Sequence, residues 1–195
     1  MNRYFVINKP RNMVSQFVSP HQVGLLGDLN FDFPEGTHAV GRLDADSEGL
    51  LILTTDKKVT RLLFLADQPH LRTYLVMVQN EMTEETFTRL KEGISIKIKN
   101  GEHYCAKPVA IERVKDPEKW YPYAQDHRNA YPHTWLLITL AEGKFRQVRK
   151  MVLAARHRCQ RLVRLSISDL VLHDLAPGQV MELDAATFFD RLKIL

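Results

Sequence analysis

Cysteine is nearly absent from this chain. Cys105 and Cys159 are the only two in 195 residues, and neither lies in a CxxC pair or at ligand spacing from a histidine. That count argues against a disulfide framework and a structural zinc site, and two isolated thiols fit a reducing cytoplasm. Long apolar runs are missing too. No stretch approaches the ~20 residues of a membrane span, and the first twenty residues carry no signal-peptide pattern, so no membrane partner is expected. Internal repeats and low-complexity segments are likewise absent. His70, His103, His127, His133, His157 and His173 are scattered, each at a spacing that fits a surface or core histidine better than a metal ligand.

What remains is an ordinary globular composition, 45% hydrophobic and 26% charged, sufficient for one domain over 1–195 with room for two lobes sharing one sheet. A net charge of +4 is by itself a weak pointer to a polyanionic partner. Its distribution points more strongly, because Lys144 to Arg164 holds eight Lys or Arg residues and no acid.

Strand-forming runs occur at Tyr4–Ile7, Met13–Val18, Leu50–Leu53, Thr73–Val78, Trp135–Leu140 and Leu162–Leu172. Asn100-Gly101 between Ile94–Ile98 and Tyr104–Val114 is a hairpin signal, with Pro108 a potential interruption. Leu25–Leu29 reads as a helical turn and Lys58–Leu65 as a helix. Thr83 is a good N-cap for a helix over Thr83–Glu92: Glu84 and Glu85 fall where the helix dipole favours negative charge, and Gly93 supplies the stop. Asp116–His133 is aperiodic and reads as a long surface loop. Glu142 opens a helix to about His157 that places Phe145, Val148, Met151, Val152 and Ala155 on one face, Arg146 and Lys150 opposite, and Arg149 and Arg156 at the border. Ala185–Leu192 is a terminal helix. Interleaved elements with a hairpin imply an α+β fold with a mixed, mainly antiparallel sheet and flanking helices.

The stretch GRLDADSEGLLILTTD, Gly41 to Asp56, holds three acids in a polar turn before a buried strand. An EF-hand fits its opening spacing but fails at the twelfth position, which is Thr55 rather than a bidentate Glu. A divalent-metal phosphodiesterase would use Asp44, Asp46 and Glu48, yet no second cluster of acids or histidines completes a two-metal site. One carboxylate could instead act as a nucleophile or base if an always-charged arginine kept it ionised; Arg149 at its helix border is a candidate partner. Asp44, Asp46 and Ser47 could also do no more than stabilise the turn.

The same stretch resembles the signature of RNA pseudouridine synthases of the RsuA type. Ile7-Asn8-Lys9-Pro10, Arg72-Thr73-Tyr74-Leu75-Val76 and Glu142-Gly143-Lys144-Phe145-Arg146-Gln147-Val148-Arg149-Lys150-Met151 match further family motifs, in the family's order. The likeness is strongest to members that act on large-subunit (23S) ribosomal RNA. It implies a cofactor-free, metal-free isomerase with Asp44 as catalytic aspartate, Tyr74 stacking on the target base and Arg149 pairing with the carboxylate. Arg42 would enter the RNA stack as the uridine leaves, and Lys144, Arg146 and Lys150 would contact RNA. Asp46, Ser47 and Glu48 would shape the turn. Two positions depart from the family: Arg72 stands where many relatives have lysine, and Phe145 where many have tyrosine or a polar residue. Because the chain begins at the catalytic-domain motif, no separate N-terminal RNA-binding domain is expected; a cytoplasmic monomer is. An RNA-binding assembly factor of the same fold without catalysis is the alternative, but pure binding would not require Asp44, Tyr74 and Arg149 together.

Overall fold

The structure is a computed structural model that describes residues 1–64, 69–124 and 131–194, with the backbone alone at Asn100. Leu65, His127 and the middle of the 116–133 segment lie outside the described residues. In chain order the elements are β1 (Tyr4–Lys9), β2 (His38–Val40), β3 (Glu48–Thr54), α1 (Lys58–Phe64), β4 (Arg72–Gln79), α2 (Glu84–Glu92), β5 (Ile94–Lys97) and β6 (His103–Ala106). They continue with β7 (Ala110–Val114), β8 (His133–Leu140), α3 (Gln147–Ala154), β9 (Cys159–Ile167), β10 (Leu170–Val171), β11 (Val180–Leu183) and α4 (Ala185–Leu192). Among the described residues no helix is long and apolar enough to cross a membrane.

Two compact units result: residues 1–70 with 163–195, and residues 71–162. In the first, strands run in the order β11-β1-β3-β9, with β2 also on β3 and β10 on β9. All these pairs are antiparallel except β3 with β9, where Glu48 faces Val163 and Gly49 faces Arg164 in parallel register. Every residue of β1 and β3 is buried, because both faces of these strands are covered. Phe5, Ile7, Leu51 and Leu53 pack with Met13, Leu26, Leu29 and Leu43, against which Phe17, Phe31 and Phe33 close. On the other face Tyr4 stacks on Phe188 of α4, centroids 4.6 Å apart. Each fully buried Leu or Ile of β3 contributes roughly 1.5–3 kcal/mol, which makes this strand a rigid base for the turn preceding it.

In the second unit β8 pairs antiparallel with β4 on one side and β7 on the other, and β5 and β6 form a separate hairpin. Alternate residues Tyr74, Val76 and Val78 of β4 join Val148, Met151 and Val152 of α3 in one apolar cluster. Thus α3 covers the sheet face that carries Tyr74. For α2 the expected cap is in place: the Thr83 hydroxyl accepts the Thr86 N–H at 3.2 Å, and Gly93 ends the helix at φ 117°. The mixed, mainly antiparallel α+β class is the one expected.

Several elements differ from expectation. Met13–Val18 is not a strand; it makes a single bridge, Met13 to Gly24, and the Gln16 carbonyl accepts the Leu26 N–H at 2.9 Å. The Tyr104–Val114 run breaks into β6 and β7 around Pro108, which cannot donate to a ladder. The Leu162–Leu172 run starts earlier, at Cys159, and divides into β9 and β10 at Ser168, whose φ is 50°. Part of the expected surface loop is core: Tyr121 is fully buried, with the Arg161 guanidinium 5.6 Å from its ring centroid and donating to the Ala124 carbonyl at 2.8 Å. The short strand β11, on the outer side of β1, is too brief to stand out from a two-residue periodicity.

Candidate active site

The acidic turn is pinned by hydrogen bonds from the segment just after β1. Ser15 Oγ accepts the Leu43 N–H and donates to the Leu43 carbonyl, both at 2.9 Å. The Asn12 N–H donates to the Ala45 carbonyl at 2.7 Å, and the Ser47 N–H closes the turn on the Asp44 carbonyl at 3.0 Å. Within Arg42-Leu43-Asp44, the middle residue is buried in the apolar cluster, Arg42 is exposed and Asp44 is half-buried. Burying Leu43 fixes the backbone on which Asp44 sits, while Arg42 projects into solvent.

Beneath the turn lies a buried charge cluster that pattern reading alone did not assemble. Lys9, at the end of β1, is fully buried, and its ammonium donates to the carbonyls of Pro10 (2.8 Å) and Met13 (2.6 Å). Burial pushes its pKa down to about 8; Glu48, Asp46 and Asp44 oppose the shift and Arg164 adds to it. Glu48, the first residue of β3, is 6% exposed and is the strongest of these counter-charges. Arg164, 5% exposed, donates from Nε to the Leu50 carbonyl at 2.8 Å. Three acids of one turn therefore act on one buried ammonium, and a second buried cation, Arg164, lies in the same unit. The sequence signal for Lys9 was a lysine closing an otherwise buried strand; for Arg164 it was a lone charge within the apolar run Leu162 to Ile167.

Gly49 makes this packing possible. Its φ is 100°, and a Cβ added there would lie 2.7 Å from the Arg164 amide nitrogen. Only glycine allows β3 to approach β9 this closely.

The second unit carries the other expected site residues. Tyr74 lies on β4 at 8% exposure and Arg149 on α3 at 9%. A basic loop precedes α3, and here the expectation needs correcting. The helix begins at Gln147 rather than Glu142, with Arg146 as its N-cap at φ 52°, ψ 33°. Phe145 therefore lies outside the helix and, far from packing with Val148, is 72% exposed. Lys144, Arg146 and Lys150 are half-buried, with the Lys144 ammonium 4.1 Å from the Tyr104 ring centroid. Arg161 and Arg164, counted from the sequence as part of a basic phosphate-binding run, are buried and used within the fold. Asp44 and Arg42 belong to the first unit, and Tyr74, Arg149, Lys144, Arg146 and Lys150 to the second.

Among the described residues no group of three or more His, Cys, Asp or Glu side chains is placed to hold a metal ion. Asp44, Asp46 and Glu48 act together on the Lys9 ammonium.

Residues 3–154 match the family model for RNA pseudouridylate synthase. The chain is 35% identical over 182 residues to a ribosomal large subunit pseudouridine synthase E of Vibrio vulnificus (strain CMCP6), covering 93% of this chain and 75% of that protein. It is 33% identical to the protein of the same name from Xanthomonas axonopodis pv. citri (strain 306), covering 88% and 89%. Among solved structures, a pseudouridylate synthase crystal structure superposes with a TM-score of 0.77 at 27% identity, covering 98% of this chain and 74% of that one.

Proposed function

This chain belongs to the RNA pseudouridylate synthase family, and from that premise we propose that it isomerises a specific uridine of large-subunit (23S) ribosomal RNA to pseudouridine, with Asp44 as the catalytic carboxylate. The substrate class rests on the similarity to the large-subunit enzymes of Vibrio and Xanthomonas. The observation that carries the catalytic assignment is the Asp44 turn itself: a half-buried carboxylate on a backbone pinned by Ser15 and Leu43, above a buried lysine.

In the reaction the bond from the ribose C1′ to N1 of uracil breaks, the base turns, and C1′ bonds to C5; C5 loses its proton and N1 gains one. A uridine in folded RNA must first leave its stack, at a cost of a few kcal/mol. Arg42, exposed beside Asp44, is suited to fill the space left behind, and Lys144, Arg146 and Lys150 to offset the cost through phosphate contacts. Tyr74 supplies the aromatic platform for the turning base. Asp44 acts on the sugar as a nucleophile or on the ring as a base, and Arg149 is the guanidinium assigned to that carboxylate. No hydride, acyl or phosphoryl group moves, so the chemistry calls for no cofactor or metal.

The test is to map pseudouridines in ribosomal RNA of cells lacking the protein, then restore wild type or Asp44→Asn. One 23S position should lose its modification, regain it with wild type and stay unmodified with Asp44→Asn; purified enzyme should act equally well in EDTA. A deletion strain with every ribosomal site still modified refutes the substrate assignment, and restoration by Asp44→Asn refutes the role of Asp44.

A further inference from the structure

The catalytic roles do not use the most exposed aromatic side chain among the described residues. Phe145 is 72% exposed although its neighbours Gln147 and Val148 are buried. The cause is local. The Gln147 N–H donates to the Lys144 carbonyl at 3.0 Å, which makes Phe145 and Arg146 the two apex residues of a tight turn. Arg146 adopts the left-handed conformation, which L-residues rarely take.

This strained turn is held open by a polar network of its own. Gln147 Oε1 accepts the Lys144 N–H at 2.9 Å, and Gln147 Nε2 donates to Glu142 Oε1 at 2.6 Å. The other oxygen of Glu142 accepts the Tyr104 hydroxyl at 2.5 Å, an interaction that raises the tyrosine pKa. A conformation disfavoured locally but fixed by three side chains is commonly one in which a displayed group has a task. What it displays is an aromatic ring among cations: Lys144 and Arg146 flank Phe145 in sequence, and the Lys150 ammonium lies 5.5 Å from its ring centroid.

We propose that Phe145 is an RNA-binding residue that stacks on an unpaired nucleobase of the substrate, with Tyr104, Glu142 and Gln147 as positioning residues for its turn. The assignment rests on the proposed function and deepens it, since it concerns how the same RNA is gripped. An exposed aromatic ring interleaved with lysine and arginine has the chemistry to bind single-stranded nucleic acid: the ring takes the flat face of any base and the cations take its phosphates.

The experiment compares wild type, Phe145→Ala and Phe145→Tyr in equilibrium binding to an unmodified 23S ribosomal RNA transcript. Binding to a single-stranded oligouridylate and to an abasic oligoribonucleotide of equal length is measured alongside. Loss of one aromatic stack should weaken Phe145→Ala on the transcript and the oligouridylate by roughly 5- to 150-fold, and leave the abasic strand within about twofold of wild type. Phe145→Tyr should bind as wild type does. The salt dependence of binding should not change, because no charge is removed, and neither should the thermal midpoint, because the ring is exposed. Equal affinity of Phe145→Ala and wild type for the transcript overturns the proposal, as does an equal loss on the abasic strand. Wild type that fails to bind the transcript overturns the ribosomal-RNA function itself, and this inference with it.

Discussion

Replacing Lys9 by methionine tests the buried charge cluster beneath the Asp44 turn most directly. Methionine keeps the length and apolar stem of lysine and removes the ammonium, so the difference in stability between the two proteins isolates one titrating group. The folded-state pKa is pushed down to about 8 from an ordinary value of 10.5. Below pH 8 the ammonium is protonated both folded and unfolded, and the full cost of burying it is present. Between pH 8 and 10.5 the unfolded chain binds the proton and the folded chain does not, so the Lys9 contribution to stability rises with pH; above 10.5 the cost is gone. Each tenfold difference in proton affinity between the folded and unfolded chains is worth about 1.4 kcal/mol. The stability of wild type relative to Lys9→Met should therefore rise by roughly 2 to 3 kcal/mol between about pH 7 and about pH 10. Urea denaturation of both proteins at several pH values in that range measures it, and taking the difference cancels the exposed lysines and tyrosines. A flat difference, or one that falls with pH, would show that the ammonium is not buried against its carboxylates as described.

Gly49→Ala should destabilise the first unit by about 2–5 kcal/mol, combining left-handed strain with the overlap onto the Arg164 backbone; a thermal midpoint equal to that of wild type would contradict the close approach of β3 and β9. Arg149→Met should lower single-turnover pseudouridine formation at saturating RNA by roughly 10- to 100-fold, as expected on losing a charge-assisted hydrogen bond of about 1.5–3 kcal/mol, while RNA affinity changes far less. Turnover equal to wild type would remove its assigned role toward the carboxylate.

The parts of this protein that were legible in the chain are those whose signals are local. Thr83, Glu84, Glu85 and Gly93 bracket α2 because capping and dipole effects act within one turn of helix; the structure adds a cap on α4, where Asp184 accepts the Thr187 N–H at 2.9 Å. Leu50 to Leu53 announced a doubly buried strand through unbroken hydrophobicity, and the motif around Asp44 pointed to its family through residue identity. Other features depend on which distant segments meet. Lys9 is buried because β1 pairs with β3 on one side and β11 on the other, bringing it to Gly49 in register. Arg164 leaves the basic surface because β9 runs parallel to β3 and offers it the Leu50 carbonyl. Helical spacing placed Phe145 in the core, and a turn held by Tyr104 and Glu142 put it in solvent. The sequence by itself therefore determined most of the regular elements, the family and the reactive residue types. Tertiary structure alone decided which charges are buried and which aromatic ring is displayed, because those outcomes are set by long-range pairing and desolvation, which no local period encodes.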